Sequence, residues 1–221
     1  LSLLTLTHYQ PVTESVFRMI ANLLTVAALI SSLVYIATRQ PQTDTLHYVL
    51  KPLTTLLIAG IALTIPTPIS DLYRTLVIVG LLCSLAGDVL LMSAGSRPFI
   101  AGLVAFLVAH LFYIAAYRSR GDFGFTWWLA LLYLAYAAVL LYLLWPHIGA
   151  LRPAVVVYAA VLMVMGWQAA EMWLTWRDWS ALAAMLGAVL FMLSDSTLAL
   201  NKFRAPVAQS DTIIMSTYWA A

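Results

Sequence analysis

Two aspartates lie in matching apolar surroundings in the two halves of the chain. Asp88 closes the segment GLLCSLAGD, which begins at Gly80, and Asp195 closes the segment GAVLFMLSD, which begins at Gly187. In both segments the aspartate follows the glycine by eight residues and directly follows a small residue. A carboxylate at the centre of a membrane-spanning helix costs about 2.5–3.5 kcal/mol on insertion scales, and less toward the helix ends. This cost, met twice in a repeated pattern, marks Asp88 and Asp195 as candidate catalytic residues.

Two carboxyl groups in apolar surroundings are suited to general acid–base catalysis. One can hold its proton and act as a general acid, while the other stays ionised and positions or deprotonates water. Such a pair suits hydrolysis through a cationic intermediate. The alternative is structural: Asp88 would bond back to Ser84, and Asp195 would bond to Ser196 or to a backbone group. The repetition of the pattern favours the catalytic interpretation.

The elements that must position these aspartates are apolar helices long enough to cross a bilayer. Hydrophobic residues make up 63% of the chain and charged residues 9%, and about 20 apolar residues span roughly 30 Å of hydrocarbon as a helix. The short polar breaks leave no room for a water-soluble domain. The sequence predicts an all-α, polytopic membrane helix bundle that forms a single integral membrane domain over 1–221, with a tail at 1–16. The eight predicted transmembrane helices are 17–37, 49–66, 72–92, 98–117, 125–145, 154–175, 181–201 and 206–221.

Further matches between the two halves predict an internal repeat. Besides the aspartate segments, two pairs of segments correspond: Lys51-Pro52 with Arg152-Pro153, and Tyr113-Ile-Ala-Ala with Tyr218-Trp-Ala-Ala. They predict two parallel four-helix repeats over 17–117 and 125–221. Both aspartates then lie one to two turns before the same membrane face, called the B face here, where the even-numbered helices begin. Lys51-Pro52 and Arg152-Pro153 would open the second and sixth helices at that face.

Five further residues are candidates for substrate binding. Lys51 and Arg152 would either bind a phosphate group or anchor helix ends among lipid headgroups. His110 and Tyr113 share a face of the fourth helix and would line a tunnel or bond to the acids, with packing as the simpler interpretation for His110. Asn201 would either cap the seventh helix or reach the site. The sequence has no His, Cys and carboxylate triplet with metal-ligand spacing and no Gly-rich phosphate loop, so we expect neither a metal nor a cofactor.

The charge of the chain limits the partners to expect. Its formal net charge is only +2, and the basic residues are spread over the connections rather than clustered. This pattern argues against nucleic acid as a partner and favours lipids or small molecules. The basic residues are nearly balanced between the two faces, five against six, so the positive-inside rule does not decide the orientation. Nothing in the sequence indicates the oligomeric state.

Several of these segments together resemble the YhhN-like lysoplasmalogenase family. The resemblance runs from about Lys51 to the carboxyl end and is carried by Lys51-Pro-Leu-Thr-Thr, Gly80 to Met92, Ala109-His-Leu-Phe-Tyr, Leu193-Ser-Asp-Ser, Asn201-Lys-Phe and Thr217-Tyr-Trp. It implies an eight-helix integral membrane hydrolase that cleaves the sn-1 vinyl-ether bond of a lysophospholipid substrate, lysoplasmenylethanolamine or lysoplasmenylcholine. The products would be a fatty aldehyde and glycerophosphoethanolamine or glycerophosphocholine. We expect such a multi-pass protein in a bacterial inner (cytoplasmic) membrane.

The vinyl ether of a lysolipid lies just below its headgroup, which is the predicted depth of the two aspartates. One aspartate would protonate the enol ether at carbon, and the other would stabilise the oxocarbenium ion while water adds. The sequence does not assign the two roles. A proton-coupled membrane transporter of a small molecule or lipid is the alternative, because intramembrane acids and parallel repeats also occur in that class. A structural or lipid-binding bundle is a third interpretation, in which neutral isosteres at both aspartates would change only stability.

Overall fold

Eight α-helices make up most of the part of the chain that the structure, a computed structural model, describes. Residues 2–38, 45–122 and 124–221 are described, with side chains from residue 14 onward. A short 3₁₀ turn, Gly149–Leu151, precedes the sixth helix, and a π-helical turn, Leu200–Arg204, follows the seventh. The α-helices are α1 Ser2–Thr38, α2 Thr45–Thr64, α3 Asp71–Leu91, α4 Ser96–Ser119, α5 Trp127–Leu144, α6 Arg152–Trp176, α7 Trp179–Ala199 and α8 Ser210–Ala220.

Seven of these helices contain segments long and apolar enough to cross a membrane, which confirms the predicted polytopic helix bundle. The eighth helix, α8, has 11 residues and is not among these candidate spans. At the amino-terminal end, α1 already begins at Ser2, where a tail was predicted, and its candidate span begins at Glu14. A helix can extend beyond its apolar segment in this way, because a helix satisfies its backbone hydrogen bonds internally whether or not it lies in the membrane.

The second helix begins earlier than the sequence predicts. Lys51-Pro52 does not open it: α2 begins at Thr45, and Pro52 lies inside the helix. Transmembrane helices tolerate an internal proline because neighbouring groups satisfy the freed backbone atoms. Lys51 consequently lies six residues into α2, about 9 Å along its axis. Arg152, its predicted counterpart, is the first residue of α6.

Most helices that are neighbours in sequence pack side by side, namely α1–α2, α2–α3, α3–α4, α5–α6, α6–α7 and α7–α8. Packing of α4 against α6 and of α1 against α8 joins the two halves. The α3–α4 pair is especially close because small residues face large ones across it. A Cβ atom at Gly87 would lie 2.6 Å from the Phe106 ring, and one at Gly102 would lie 2.8 Å from Leu91. Such small residues let transmembrane helices approach closely. The close approach places Asp88, next to Gly87, on a packed helix face.

Helix ends at the face opposite the B face are held by side chains in the connections. Ser70 accepts a hydrogen bond from the Tyr73 backbone N–H and caps α3, and Asp178 caps α7 in the same way. Arg120, just after α4, also donates hydrogen bonds to Asp178, and they hold the pKa of that carboxyl below its usual range. The cap and the ion pair together link the end of α4 to the start of α7.

Glu171 of α6 is buried and joins α6 to the start of α5. Its carboxylate accepts hydrogen bonds from the Thr126 backbone N–H at 2.6 Å, the Thr126 hydroxyl at 2.9 Å and Trp167 Nε1 at 3.0 Å. Glu171→Ala should lower the free energy of unfolding by at least about 1.5–3 kcal/mol, the contribution of one hydrogen bond to a charged group. Thermal denaturation in detergent measures this loss.

The control for this prediction is Asp122→Ala. Asp122 pairs with Arg118 at 3.0 Å, but its side chain is 99% exposed. Exposed ion pairs contribute little, so its denaturation midpoint should stay close to that of the wild type. Equal midpoints for the Glu171 and Asp122 variants would show that the buried carboxylate does not hold α5 in place.

Candidate functional site

A cavity of about 350 Å³ opens among the helix ends at the B face and is lined by both aspartates. Its size falls within the usual range for small-molecule sites. We call it the polar cavity. Of the residues predicted for the site, it brings together Asp88, Asp195, Lys51 and Asn201. The other polar or aromatic residues that line it are Tyr35, His47, Tyr48, Phe99, Phe106, Ser194, Lys202, Asp211 and Tyr218.

Asp88 lies at the inner end of this cavity and is only 1% exposed. Its Oδ2 accepts hydrogen bonds from the Thr55 hydroxyl of α2 at 2.7 Å and from the Tyr218 hydroxyl of α8 at 2.8 Å. Its Oδ1 lies 3.4 Å from the Lys51 ammonium nitrogen, Nζ. Two hydroxyl donors and a cation offset the free-energy cost of burying a negative charge on a carboxylate. Groups of α2 and α8 therefore surround the Asp88 carboxyl group and would compensate a negative charge on it.

Asp195 has different partners, although it occupies the matching place in α7. The Tyr158 hydroxyl of α6 donates a hydrogen bond to its Oδ2. The ion pairs of the described residues include none with Asp195. The neighbouring Ser194 donates to the Ile214 carbonyl oxygen at 3.0 Å and thereby ties α7 to α8. Among the described residues, Asp195 is thus bonded to one neutral donor and forms no ion pair.

The two serines that the structural interpretation offered as partners bond elsewhere. Ser84 lies 3.2 Å from the Tyr113 hydroxyl, and Ser196 lies 2.8 Å from the Tyr136 hydroxyl. Both aspartates instead bond to side chains on neighbouring helices. One oxygen of Asp195 has no hydrogen-bond donor among the described residues, and that aspartate lines an open cavity. A purely structural carboxylate would have its acceptors filled, so this arrangement fits a group that acts on a bound molecule.

The outer part of the polar cavity is formed by the turn after α7. Asn201 accepts a hydrogen bond from the Val207 backbone N–H at 2.9 Å and also lines the cavity, so it stabilises the turn and reaches the site. Lys202 is exposed, and its Nζ lies 5.1 Å from the centre of the Phe99 ring. A cation held over an aromatic ring at a cavity mouth is available to an anionic group that enters.

Arg152 is not brought to the polar cavity. It is exposed, donates a hydrogen bond to the Trp145 carbonyl oxygen at 3.3 Å and lies over the Trp145 ring. The physical reason is its place in the helix: Arg152 begins α6 directly after the 3₁₀ turn, whereas Lys51 is six residues into α2 and so reaches Asp88. Its contacts are those of a residue that anchors a helix end among headgroups.

His110 and Tyr113 also lie outside the polar cavity, deeper in the bundle. His110 is fully buried, and its ring packs against those of Tyr158 and Phe191. Neither of its nitrogens has a hydrogen-bond partner in the part of the chain that the structure describes. Tyr113 bonds to Ser84 and lines a second, apolar cavity on the other side of Tyr218. Tyr113 therefore lies at a cavity wall, whereas His110 packs among aromatic rings.

Comparison with known proteins identifies the family. The model of the YhhN family matches residues 46–221. The chain belongs to the YhhN family. It is 31% identical over 174 residues to the uncharacterized membrane protein YhhN of Escherichia coli O157:H7, a match that covers 79% of this chain and 82% of that protein. No solved structure matches the chain.

Other relatives carry the name lysoplasmalogenase. The chain is 38% identical over 152 residues to lysoplasmalogenase TMEM86A of Bos taurus and 40% identical over 151 residues to the Homo sapiens protein of that name. Each match covers 66% of this chain and 62% of the relative. This YhhN-family chain therefore spans less than two thirds of the length of these curated relatives.

Three residues at the site of this YhhN-family chain did not emerge as site candidates from the sequence: Thr55, Tyr158 and Tyr218. Thr55 lies one turn after Lys51. Residues at i and i+4 share a helix face, so this spacing could have predicted Thr55 beside Lys51 at the site. Tyr218 had a signal as well, because its segment matches that of Tyr113. Tyr158 lies in a long apolar segment that gives no indication of a polar partner.

Proposed function

We propose that this protein is a lysoplasmalogenase, which hydrolyses the sn-1 vinyl-ether bond of lysoplasmenylethanolamine or lysoplasmenylcholine to a fatty aldehyde and the glycerophospho-headgroup. One observation carries the proposal: two aspartates with unlike partners line one cavity. The sequence predicts both of them near one membrane face, and the vinyl ether of a lysolipid lies just below its headgroup. The names of the TMEM86A relatives support it. The likeness to the Escherichia coli membrane protein supports a bacterial inner membrane as the location.

We infer different chemical roles for the two aspartates from their different partners. Asp88 accepts two hydroxyl hydrogen bonds and lies beside the Lys51 ammonium group, so it is the carboxylate. Asp195 has only the Tyr158 hydroxyl, which leaves its other oxygen able to carry a proton toward the cavity. Two acidic groups whose environments differ in this way can act as acid and base at one pH. Asp195 is the general acid and Asp88 the ionised partner.

The reaction begins with proton transfer from Asp195 to the vinyl carbon that is one bond removed from the ether-bearing carbon. The carbon–carbon π electrons form the new C–H bond, and the ether oxygen shares the positive charge that remains in an oxocarbenium ion. The Asp88 carboxylate stabilises this cation, since charge developing in a site of low polarity is strongly stabilised by a fixed opposite charge. Water then adds to the cationic carbon and gives up a proton to the ionised Asp195. The resulting hemiacetal then breaks its bond to the glycerol oxygen, which takes the proton from Asp195, while the hemiacetal hydroxyl gives its own proton to Asp195 as the aldehyde C=O forms. The aldehyde and the alcohol are released, and Asp195 is again protonated.

The headgroup lies toward the mouth of the polar cavity in this pose. Lys202 meets the phosphate there, because it is an exposed cation that no ion pair of the described residues engages. Lys51 lies deeper and is only 11% exposed at its side chain. Its charge mainly compensates Asp88, so Lys51 acts on the chemical step as well as on binding.

The two lysines should therefore respond differently to neutralisation. Lys202→Met should raise KM by up to about fivefold with kcat nearly unchanged, since an exposed charge pair contributes little and binds ground and transition states equally. Lys51→Met should lower kcat by about tenfold or more, because the Asp88 charge loses its compensating cation. Steady-state kinetics in detergent measure both. If Lys51→Met instead raised KM and Lys202→Met lowered kcat, Lys51 would be the phosphate ligand. Its charge would then not be required to compensate Asp88.

The direct test is aldehyde release from lysoplasmalogen by the purified protein. We expect aldehyde and the glycerophospho-headgroup in equal amounts from the 1-alkenyl lysophospholipid. The 1-acyl and 1-O-alkyl lysophospholipids of the same chain length are the controls, because neither has an enol ether to protonate, and they should stay intact. If the protein forms no aldehyde from any alkenyl substrate, the proposal fails and the proton-coupled transporter becomes the preferred function.

A further inference from the structure

A narrow apolar cleft adjoins the polar cavity at Asp195, and the proposed reaction gives it no role. Asp195 lines both spaces, as do Phe99 and Phe106 of α4. Side chains of α4, α5, α6 and α7 form most of the wall of the cleft. We call it the lateral cleft. The hydrophobic residues that line it and not the polar cavity include Leu103, Leu140, Leu141, Leu144, Val155 and Leu162.

The lateral cleft opens between α4 and α5 on the outside of the bundle. Both helices pack against α6, but in the described part of the chain they make little contact with each other. Leu103 of α4 and Leu140 of α5 line the cleft and are half-buried, so they border its opening. Their sequence neighbours Val104 and Val139 are exposed, as residues that face lipid are. A path therefore runs from Asp195 between these two helices to the hydrocarbon of the bilayer.

The hydroxyl groups in the wall of the lateral cleft already have partners. Tyr158 donates its hydroxyl proton to Asp195, and the Ser196 hydroxyl lies 2.8 Å from that of Tyr136. The cleft therefore offers hydrocarbon side chains to a bound molecule, apart from the Asp195 carboxyl group at its inner end. An apolar path that joins a carboxyl group to lipid hydrocarbon suits a molecule that carries its reactive group at the end of a hydrocarbon chain.

We propose that the lateral cleft holds the first few carbons of the alkenyl chain of the substrate, and that the rest of the chain extends between α4 and α5 into the bilayer. This inference rests on the proposed function, in which Asp195 protonates the vinyl carbon that bears the chain. The chain then begins beside Asp195, at the inner end of the cleft. The described residues that line the second apolar cavity, on the other side of Tyr218, include neither aspartate. The headgroup lies in the polar cavity and the chain in the lateral cleft, with the reacting atoms at their junction.

The size of the lateral cleft limits how much of the chain it can enclose. Its volume is about 60 Å³. A cavity needs about 10–15 Å³ to hold one water molecule, so the cleft has room for roughly four to six groups of that size. Its wall on α6 rises about 6 Å from Tyr158 to Leu162, and an extended chain advances about 1.2 Å per bond, which gives roughly five bonds. Later carbons stay in lipid hydrocarbon, which is as apolar as a leucine side chain.

Narrowing the opening of the lateral cleft should affect long-chain substrates selectively. Leu103→Trp and Leu140→Trp each place a larger side chain at the border of the opening. With a hexadecenyl lysophospholipid, kcat/KM should fall by about tenfold or more, because adding atoms to a space that the chain must occupy is destabilising. With the 1-propenyl lysophospholipid it should fall less than about twofold, since that chain ends beside Asp195 and does not reach the opening.

The matched controls are Val104→Trp and Val139→Trp, one residue away on the same two helices. Both valines are exposed and lie outside the walls of the lateral cleft and the polar cavity. These variants should keep the wild-type kcat/KM with both substrates. Each variant is compared with the wild type on the same substrate at the same mole fraction of lipid in mixed micelles. Equal losses with the two substrates in both cleft variants, or no loss with the hexadecenyl substrate, would overturn the inference.

A labelling measurement on the wild type separates this inference from the proposed function and needs no variant. The probe is a 1-O-alkyl lysophosphoethanolamine, which has no vinyl ether to cleave, with a photoreactive diazirine at about the fourth carbon of its chain, within the enclosed length. On illumination it should label α4 and α5 beside the lateral cleft, and an excess of the same lipid without diazirine should suppress that labelling.

The other outcomes of this measurement are distinct. Labelling of α2 and α3 at the second apolar cavity, or labelling that excess lipid does not suppress, would overturn the chain site even if aldehyde is formed from the alkenyl substrate. Suppressible labelling of α4 and α5 without any aldehyde formation would instead keep the chain site and reject the hydrolase.

Discussion

Asp88→Asn and Asp195→Asn should each lower kcat for vinyl-ether hydrolysis by about 10²- to 10⁴-fold, the range for loss of a positioned acid or base. Asparagine at position 195 cannot donate the acidic proton that carbon protonation requires. At position 88 the amide oxygen can still accept from Thr55 and Tyr218, but the negative charge that stabilises the oxocarbenium ion is lost. Turnover of lysoplasmalogen by purified variants in detergent measures both effects.

The control for these variants is Glu171→Gln, which neutralises a buried carboxylate that lies on neither cavity wall. Its turnover per folded molecule should equal that of the wild type. Elution as a single folded species and an unchanged helical content are required of all three proteins before rates are compared. Near-normal turnover by the Asp88 or the Asp195 variant would remove that residue from the mechanism.

The pH dependence of kcat/KM for hydrolysis should be set by the protonation of the general acid, Asp195. If the Asp195 carboxyl group delivers the proton to carbon, kcat/KM should fall about tenfold per pH unit once the pH exceeds its pKa, because only the protonated form is active. The sign of the slope is therefore negative with rising pH. Proton transfer to carbon is slow, so turnover in D₂O should also be slower by a primary solvent isotope effect.

A covalent mechanism predicts a different set of kinetics. Attack of an enzyme nucleophile on the ether carbon would form a covalent intermediate, with a burst of the first product. A burst without a solvent isotope effect would reject the acid-first mechanism, even if both aspartates prove essential. A profile in which kcat/KM rises with pH over the same range would reject proton donation by a carboxyl group as the step that controls the rate.

The membrane class of the protein and the depth of its two aspartates follow from the sequence alone. Length and hydrophobicity are local properties, so apolar segments of span length predict the seven candidate spans closely. A fixed rise per residue then converts position in a segment into depth in the membrane. That is why the sequence predicts Asp88 and Asp195 at one level near the B face, and in the structure both of them line the polar cavity. The two parallel four-helix repeats stay a prediction.

Only the tertiary structure decided which side chains meet the aspartates. Depth follows from residue number, but direction around a helix changes by about 100° per residue and depends on where the helix begins and how its neighbours pack. Lys51 and Arg152 look equivalent in the sequence, yet α2 begins before Lys51 and α6 begins at Arg152, so only Lys51 reaches an acid. Tyr158 comes to Asp195 from the preceding helix, and Tyr218 comes to Asp88 from α8, 130 residues further along the chain. Such contacts arise only when the packed helices fix which face each one presents to its neighbours.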